Sequence, residues 1–120
     1  MRSHLKLDVW SKSVDFVVEV YRMTEFFPKD EKFGLTSQIT RASVSIPANI
    51  AEGAAGETDK DFLRFLSIAQ GSTSDVETEL VIANRLGYIS DSDFMTSSSA
   101  LDNIGRMITG LSRHLKGKLG

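Results

Sequence analysis

The chain of 120 residues has no cysteine, only two prolines, one tryptophan and two histidines. Without cysteine there is no disulfide framework, thiolate metal site or cysteine nucleophile, and a reducing compartment is the natural setting. The Glu-x-x-His pairs that hold di-metal centres in helical bundles are missing too, because the positions three before His4 and His114 are Met1 and Leu111. Neither a nucleophile elbow nor a glycine-rich phosphate loop is present among the nine glycines. The expectation is a protein with no catalytic residues, cofactor or metal. Long hydrophobic runs are also lacking. No apolar stretch approaches the roughly 20 residues needed to span a bilayer, and MRSHLKLDVWSKS lacks the apolar core of a secretory signal. A cytoplasmic protein without a membrane partner follows as the expectation. Charge of one sign is scarce: 14 basic against 16 acidic residues leave a net −2. That balance opposes nucleic-acid binding by bulk charge but permits a local basic patch.

The length suits one domain, 1–120, built on a single core. Alternating β-branched runs are nearly absent, and apolar residues instead recur at helical spacing four times. The first stretch, about Lys6 to Phe26, carries Trp10, Val14, Val17 and Tyr21 in one row and Val9, Phe16, Val20 and Met23 in its neighbour. Together they cover more of the helix circumference than one bundle core uses. After Phe27, Pro28 and a charged run, Gly34 precedes a second helix from Leu35 or Thr36.

Here the chain has two apolar faces. Leu35, Ile39, Ala42, Ile46 and Ile50 form a core row, while Val44, Ala48, Ala51 and Ala55 line up opposite. The second row needs a partner and is the expected oligomer interface. Pro47 lacks an amide hydrogen and crowds the Ser43 carbonyl, so the helix is expected to kink or restart there, at a cost of about 3 kcal/mol in isolation. Arg41, Asn49, Glu52 and Arg64 are read as structural polar residues. In that reading Asn49 satisfies carbonyls freed by Pro47, and Glu52 pairs with Arg64 or another base across an intersubunit contact, since a carboxylate that is enclosed requires a partner.

Thr58, with Asp61 three residues later, resembles a capping box for the third helix. There Phe62, Leu66, Ala69, Thr73, Val76, Leu80 and Ala83 keep an alternating four-and-three spacing, the seam of a bundle. Gly87 followed by Tyr88 and Ile89 reads as a helix stop. Ser90 or Asp91 caps the fourth helix, whose core row is Phe94, Leu101, Ile104, Ile108, Leu111 and Leu115, with Thr96 to Ser99 its weakest part. Short connections predict an all-α, antiparallel up-down-up-down four-helix bundle, kinked near Pro47. That topology gathers the termini, making Lys6, Arg113, Lys116 and Lys118 candidate nucleic-acid contacts. Acids of the second connection, Glu52, Glu57, Asp59 and Asp61, oppose them. A helix-turn-helix reading of TSQITRASVSIPANI lacks the turn glycine.

Three segments carry a resemblance: SIPANIAEG at Ser45 to Gly53, FLRFLSIAQGS at Phe62 to Ser72, and LGYI at Leu86 to Ile89. They resemble the four-helix-bundle proteins encoded by intervening sequences in bacterial large-subunit ribosomal RNA genes. Trp10, Phe27, Pro28, Gly34, Leu35, Arg41 and Ala42 agree with the same pattern. The resemblance implies a homopentamer around a central channel. It also implies distant kinship to the accessory protein of diversity-generating retroelements, which engages a reverse transcriptase and nucleic acid through a basic surface. Two functions are therefore expected in turn. One is a non-catalytic, self-associating scaffold with a protein partner; the other is an accessory factor working with a reverse transcriptase, ribosomal RNA or other nucleic acid.

Overall fold

The structure, a computed structural model, describes His4 and residues 7–119. Four helices follow in order: α1 at Asp8–Thr24, α2 at Leu35–Ala55, α3 at Asp59–Arg85 and α4 at Asp91–Leu119, with a short 3-10 turn at Lys29–Glu31 after α1. Among the described residues there is no strand. The result is the all-α four-helix bundle that the periodicity predicts. Its 47 Å long axis is close to the length of α4, since 29 residues at about 1.5 Å each span some 44 Å. No helix among the described residues is long and apolar enough to cross a membrane.

Local chemistry explains where each helix begins and stops. α1 ends at Thr24, two residues before the expected Phe26. The turn lets Phe27 fold inward, its ring 5.5 Å from that of Tyr88, and leaves Phe26 83% exposed. Glu31 serves two elements: Oε1 accepts from the Leu35 amide at the start of α2, and Oε2 accepts from the Tyr88 hydroxyl at 2.9 Å. The Thr58 hydroxyl accepts from the Asp61 amide at 3.1 Å, capping α3. α3 stops at a Schellman turn. Gly87 adopts φ 78°, while the Tyr88 amide donates to the Ala83 carbonyl and the Gly87 amide to that of Asn84. Of the two candidate caps for α4 it is Ser90 that accepts from the Asp93 amide; Asp91 instead accepts from the Asn84 side chain. Thr96 to Ser99 lie inside a continuous α4.

The chain passes through Pro47 within α2, which runs as one helix of 21 residues. It does not restart at the proline, and the helix-turn-helix reading falls with that continuity. The role expected of Asn49 is also corrected. Its amide donates to the Ser45 carbonyl at 2.8 Å and the Ser45 hydroxyl at 3.0 Å. The carbonyl that loses its bond to the missing proline N–H belongs to Ser43, one turn before Pro47.

One hydrophobic cluster joins all four helices, from Val9, Phe16 and Val20 through Ile39, Ile46 and Ile50 to Leu66, Leu80, Ile104 and Ile108. In α1 it is the row of Val9, Phe16 and Val20 that is buried, with Ser13 among them giving its hydroxyl to the Trp10 carbonyl. Val14 and Val17 are half-buried, and Tyr21 is 51% exposed. The most extensive seam joins α2 to α3, and the thinnest joins α1 to α4. At the first, the Ser45 and Ser72 hydroxyls bond at 2.8 Å, and Gly53 lies against Phe62 and Phe65. Residue numbers rise along α2 as they fall along α3, so these two helices run in opposite directions.

A Cβ at Gly53 would stand 2.8 Å from Phe62 Cδ1 and 2.9 Å from Phe65 Cβ, whereas one at Gly71 meets nothing within 4 Å. Gly53→Ala is therefore expected to destabilise the protein by about 1–3 kcal/mol despite alanine's better helix propensity. Gly71→Ala is expected to stabilise it by roughly 0.5–1 kcal/mol. Urea unfolding of the two variants checks both signs.

Candidate functional site

Side chains that the core does not use are the candidates for function. On α2, Ile39, Ile46 and Ile50 are fully buried, and helical geometry turns Val44, Ala48, Ala51 and Ala55 outward. Val44 is 41% exposed, Ala48 and Ala55 are exposed, and Ala51 is half-buried. A second apolar group adjoins this row. Ser72 of α3 faces α2 through its bond to Ser45, and Ile68, one turn earlier, lies 43% exposed on the same flank. Gly71 stands open beside it.

The four polar residues read as structural do not act together. Asn49 stays within α2, as described above. Arg41 and Glu52 are exposed. Within one chain the Arg64 guanidinium lies over the Phe65 ring, 4.3 Å from its centre, and no ion pair among the described residues includes Glu52, so the expected pairing of Glu52 is left to a contact between subunits. Within the single chain Glu52 is exposed, so no intrachain partner is demanded.

Of the candidate nucleic-acid contacts, Lys6 lies outside the described residues. Lys118 is bonded to Asp59 at 3.1 Å, the kind of cancellation by acids of the second connection that the sequence implied. Arg113 and Lys116 are different. They line a groove of about 730 Å³ between α3 and α4, where Lys60 and Arg64 stand on the α3 side.

Two features of α3 escape sequence reading. Gln70 crosses the seam, its amide donating to the Gly105 carbonyl at 3.0 Å and the Thr109 hydroxyl at 2.9 Å, while its carbonyl oxygen accepts from Thr73. Glu79 is half-buried, with Oε1 shut from solvent and without a hydrogen-bond partner. Burial, and then the charge of Asp75 one turn earlier, push its carboxyl from the ordinary 4.5 up to about 7. A glutamate one position from the core row Val76 and Leu80 was the available signal, but helical spacing alone leaves such a flank position ambiguous.

Among the described residues no group of three or more metal-ligating side chains converges. The class defined by these features is a four-helix bundle with apolar side chains left on the outside of its second and third helices. The chain belongs to the 23S rRNA-intervening sequence protein family, whose profile matches residues 5–110. It is similar to the crystal structure of a protein of unknown function from the S23 ribosomal protein family of Bacteroides thetaiotaomicron. The TM-score is 0.81 at 27% identity, over 87% of this chain and 97% of that one. No curated protein sequence matches the chain.

The raised Glu79 carboxyl has a stability consequence. Because folding raises its pKa, the native state holds that proton more tightly than the unfolded chain, so stability falls as pH rises from about 4.5 to about 7. Glu79→Gln is expected to flatten that fall and to add about 1 kcal/mol at pH 8, a value reduced for solvent screening at a half-buried site. Thermal unfolding of both proteins across pH 4–8 measures it.

Proposed function

We propose that this protein is a non-catalytic helical scaffold that assembles with copies of itself through the outer face of α2. One observation carries the reading: Val44, Ala48 and Ala55 stay exposed, and Ala51 half-exposed between them, after the opposite face of the same helix has filled the core. A soluble chain rarely leaves such a row uncovered, because each apolar group withdrawn from water favours association by about 25 cal/mol per Å². Small side chains in the row let helix backbones approach closely, and Ile68 widens the patch onto α3. The number five is taken from the family resemblance. The cytoplasm is its proposed compartment, in keeping with a chain that has no cysteine to oxidise.

A nucleic-acid role for Arg113, Lys116 and Lys118 draws less support. Lys118 is engaged by Asp59, and the net charge of −2 provides no long-range attraction for phosphate. Association with a reverse transcriptase or ribosomal RNA accordingly ranks second.

Light scattering at micromolar concentration should give a particle of about five times the 13.2 kDa chain mass. Ala48→Glu and Ala51→Glu should each weaken assembly by two to three orders of magnitude, since a charge would be buried without a partner, at a cost of about 2–5 kcal/mol. A monomeric wild-type protein would overturn the assembly. Intact oligomers in both variants would place it on another face.

A further inference from the structure

The groove between α3 and α4 has a charge pattern that self-association through α2 does not use. Lys60 and Arg64 stand one turn apart on α3, and Arg113 and Lys116 stand one turn apart on α4, all four exposed. Among the described residues none of them forms an ion pair; Arg64 rests its guanidinium over the Phe65 ring, 4.3 Å from its centre, a contact it would exchange for a carboxylate. Asp61 is the single carboxylate lining the groove. Between the two cationic rims the floor is aliphatic, made of Leu63, Leu66 and Ile108.

The Gln70 bridge to Gly105 and Thr109 crosses the seam at one end of this groove. Beyond it the cationic excess ends: the adjoining groove balances Glu77 and Asp102 against Arg106 and the shared Arg113, with Asp102 paired to Arg106 at 3.0 Å. From Lys60 to Gln70 the cationic part spans about 15 Å along α3, room for roughly three turns of a helix laid beside it.

We infer that this groove binds an acidic amphipathic helix of a partner protein. Its apolar stripe would cover Leu63 and Ile108, and acidic side chains on both flanks would meet Lys60 and Arg64 on one side and Arg113 and Lys116 on the other. The same features disfavour a nucleic-acid strand. No aromatic side chain lines the groove, so bases have no stacking platform, and an aliphatic floor offers nothing to a phosphodiester chain. The inference goes beyond the scaffold reading and does not rest on it, because it uses a different seam and a different readout.

The test is fluorescence anisotropy at about 50 mM salt with three labelled probes. The first is a synthetic Leu/Glu peptide of about twelve residues with leucines at i, i+3, i+4 and i+7. The second is its scrambled isomer, and the third an oligothymidylate of similar length. The amphipathic peptide should bind saturably and more tightly than either control. Arg64→Glu combined with Arg113→Glu should weaken it on the order of tenfold, as should Lys116→Glu tested separately, with helical circular dichroism unchanged. Equal binding of the scrambled peptide would overturn the proposal in favour of charge alone, and tighter binding of the oligonucleotide in favour of nucleic acid. Loss of self-association in the Arg64→Glu, Arg113→Glu protein would identify a second copy as the occupant and would also overturn it. Failure of the peptide to bind while the oligomer persists would remove this inference and leave the scaffold reading standing.

Discussion

The close approach of α2 to α3 is the constraint on which the rest of the molecule depends. At Gly53 the two helices leave no room for even a methyl group beside Phe62, and one region along the seam the Ser45 and Ser72 hydroxyls meet directly. Small side chains permit that distance, and Ala69, Ser72 and Thr73 are buried on the α3 side. With these helices so close, isoleucines at positions 39, 46 and 50 fill the core completely. The proline in α2 is tolerated because its helix is held on both sides of it: the Asn49 side chain reinforces the Ser45 turn just before Pro47, and buried Ile46 and Ile50 flank the ring. A peptide of the same sequence in water would have none of that packing to offset the lost hydrogen bond.

Because one face of α2 is committed to the core, its opposite face is committed to the outside. The same logic separates the faces of α3. Ser72 turns toward α2, Gln70 turns toward α4, and the stripe between them is core. The tight seam and the clasped seam thus leave different surfaces. Beside α2 lies an apolar and small-residue face suited to close helix contact. Between α3 and α4, on the terminal side of Gln70, lies a groove with an aliphatic floor and cationic rims. These two surfaces have different chemistry, and a scaffold that assembles through one would keep the other free for a partner.

Much of this was legible in the primary structure. The four helices, the buried rows of α2, α3 and α4, the Thr58 cap and the Gly87 stop all follow from local rules that act over one or two turns, and the chain obeys them. Three kinds of feature were not legible. Helix ends shift when a tertiary contact outbids propensity, as when α1 stops at Thr24 instead of Phe26 and the next residue, Phe27, meets Tyr88. A choice between equivalent neighbours, Ser90 or Asp91, is settled only when Asn84 takes one of them. Side-chain partners depend on rotation about each axis: Arg64 turned its guanidinium onto the Phe65 ring, and Arg113 and Lys116 came to line one groove with Lys60 and Arg64.

The amino-acid sequence by itself determined the helical class, the order of the elements, the family membership and the existence of a second apolar row on α2, because periodicity and capping are encoded within short windows. Only the tertiary structure decided which row of α1 is core, that α2 continues through Pro47, that Glu79 is left with a half-buried and unpartnered carboxyl, and that four cations border one groove. Each of these depends on the distance and rotation between helices, which the summed packing of the whole chain sets and no single segment contains.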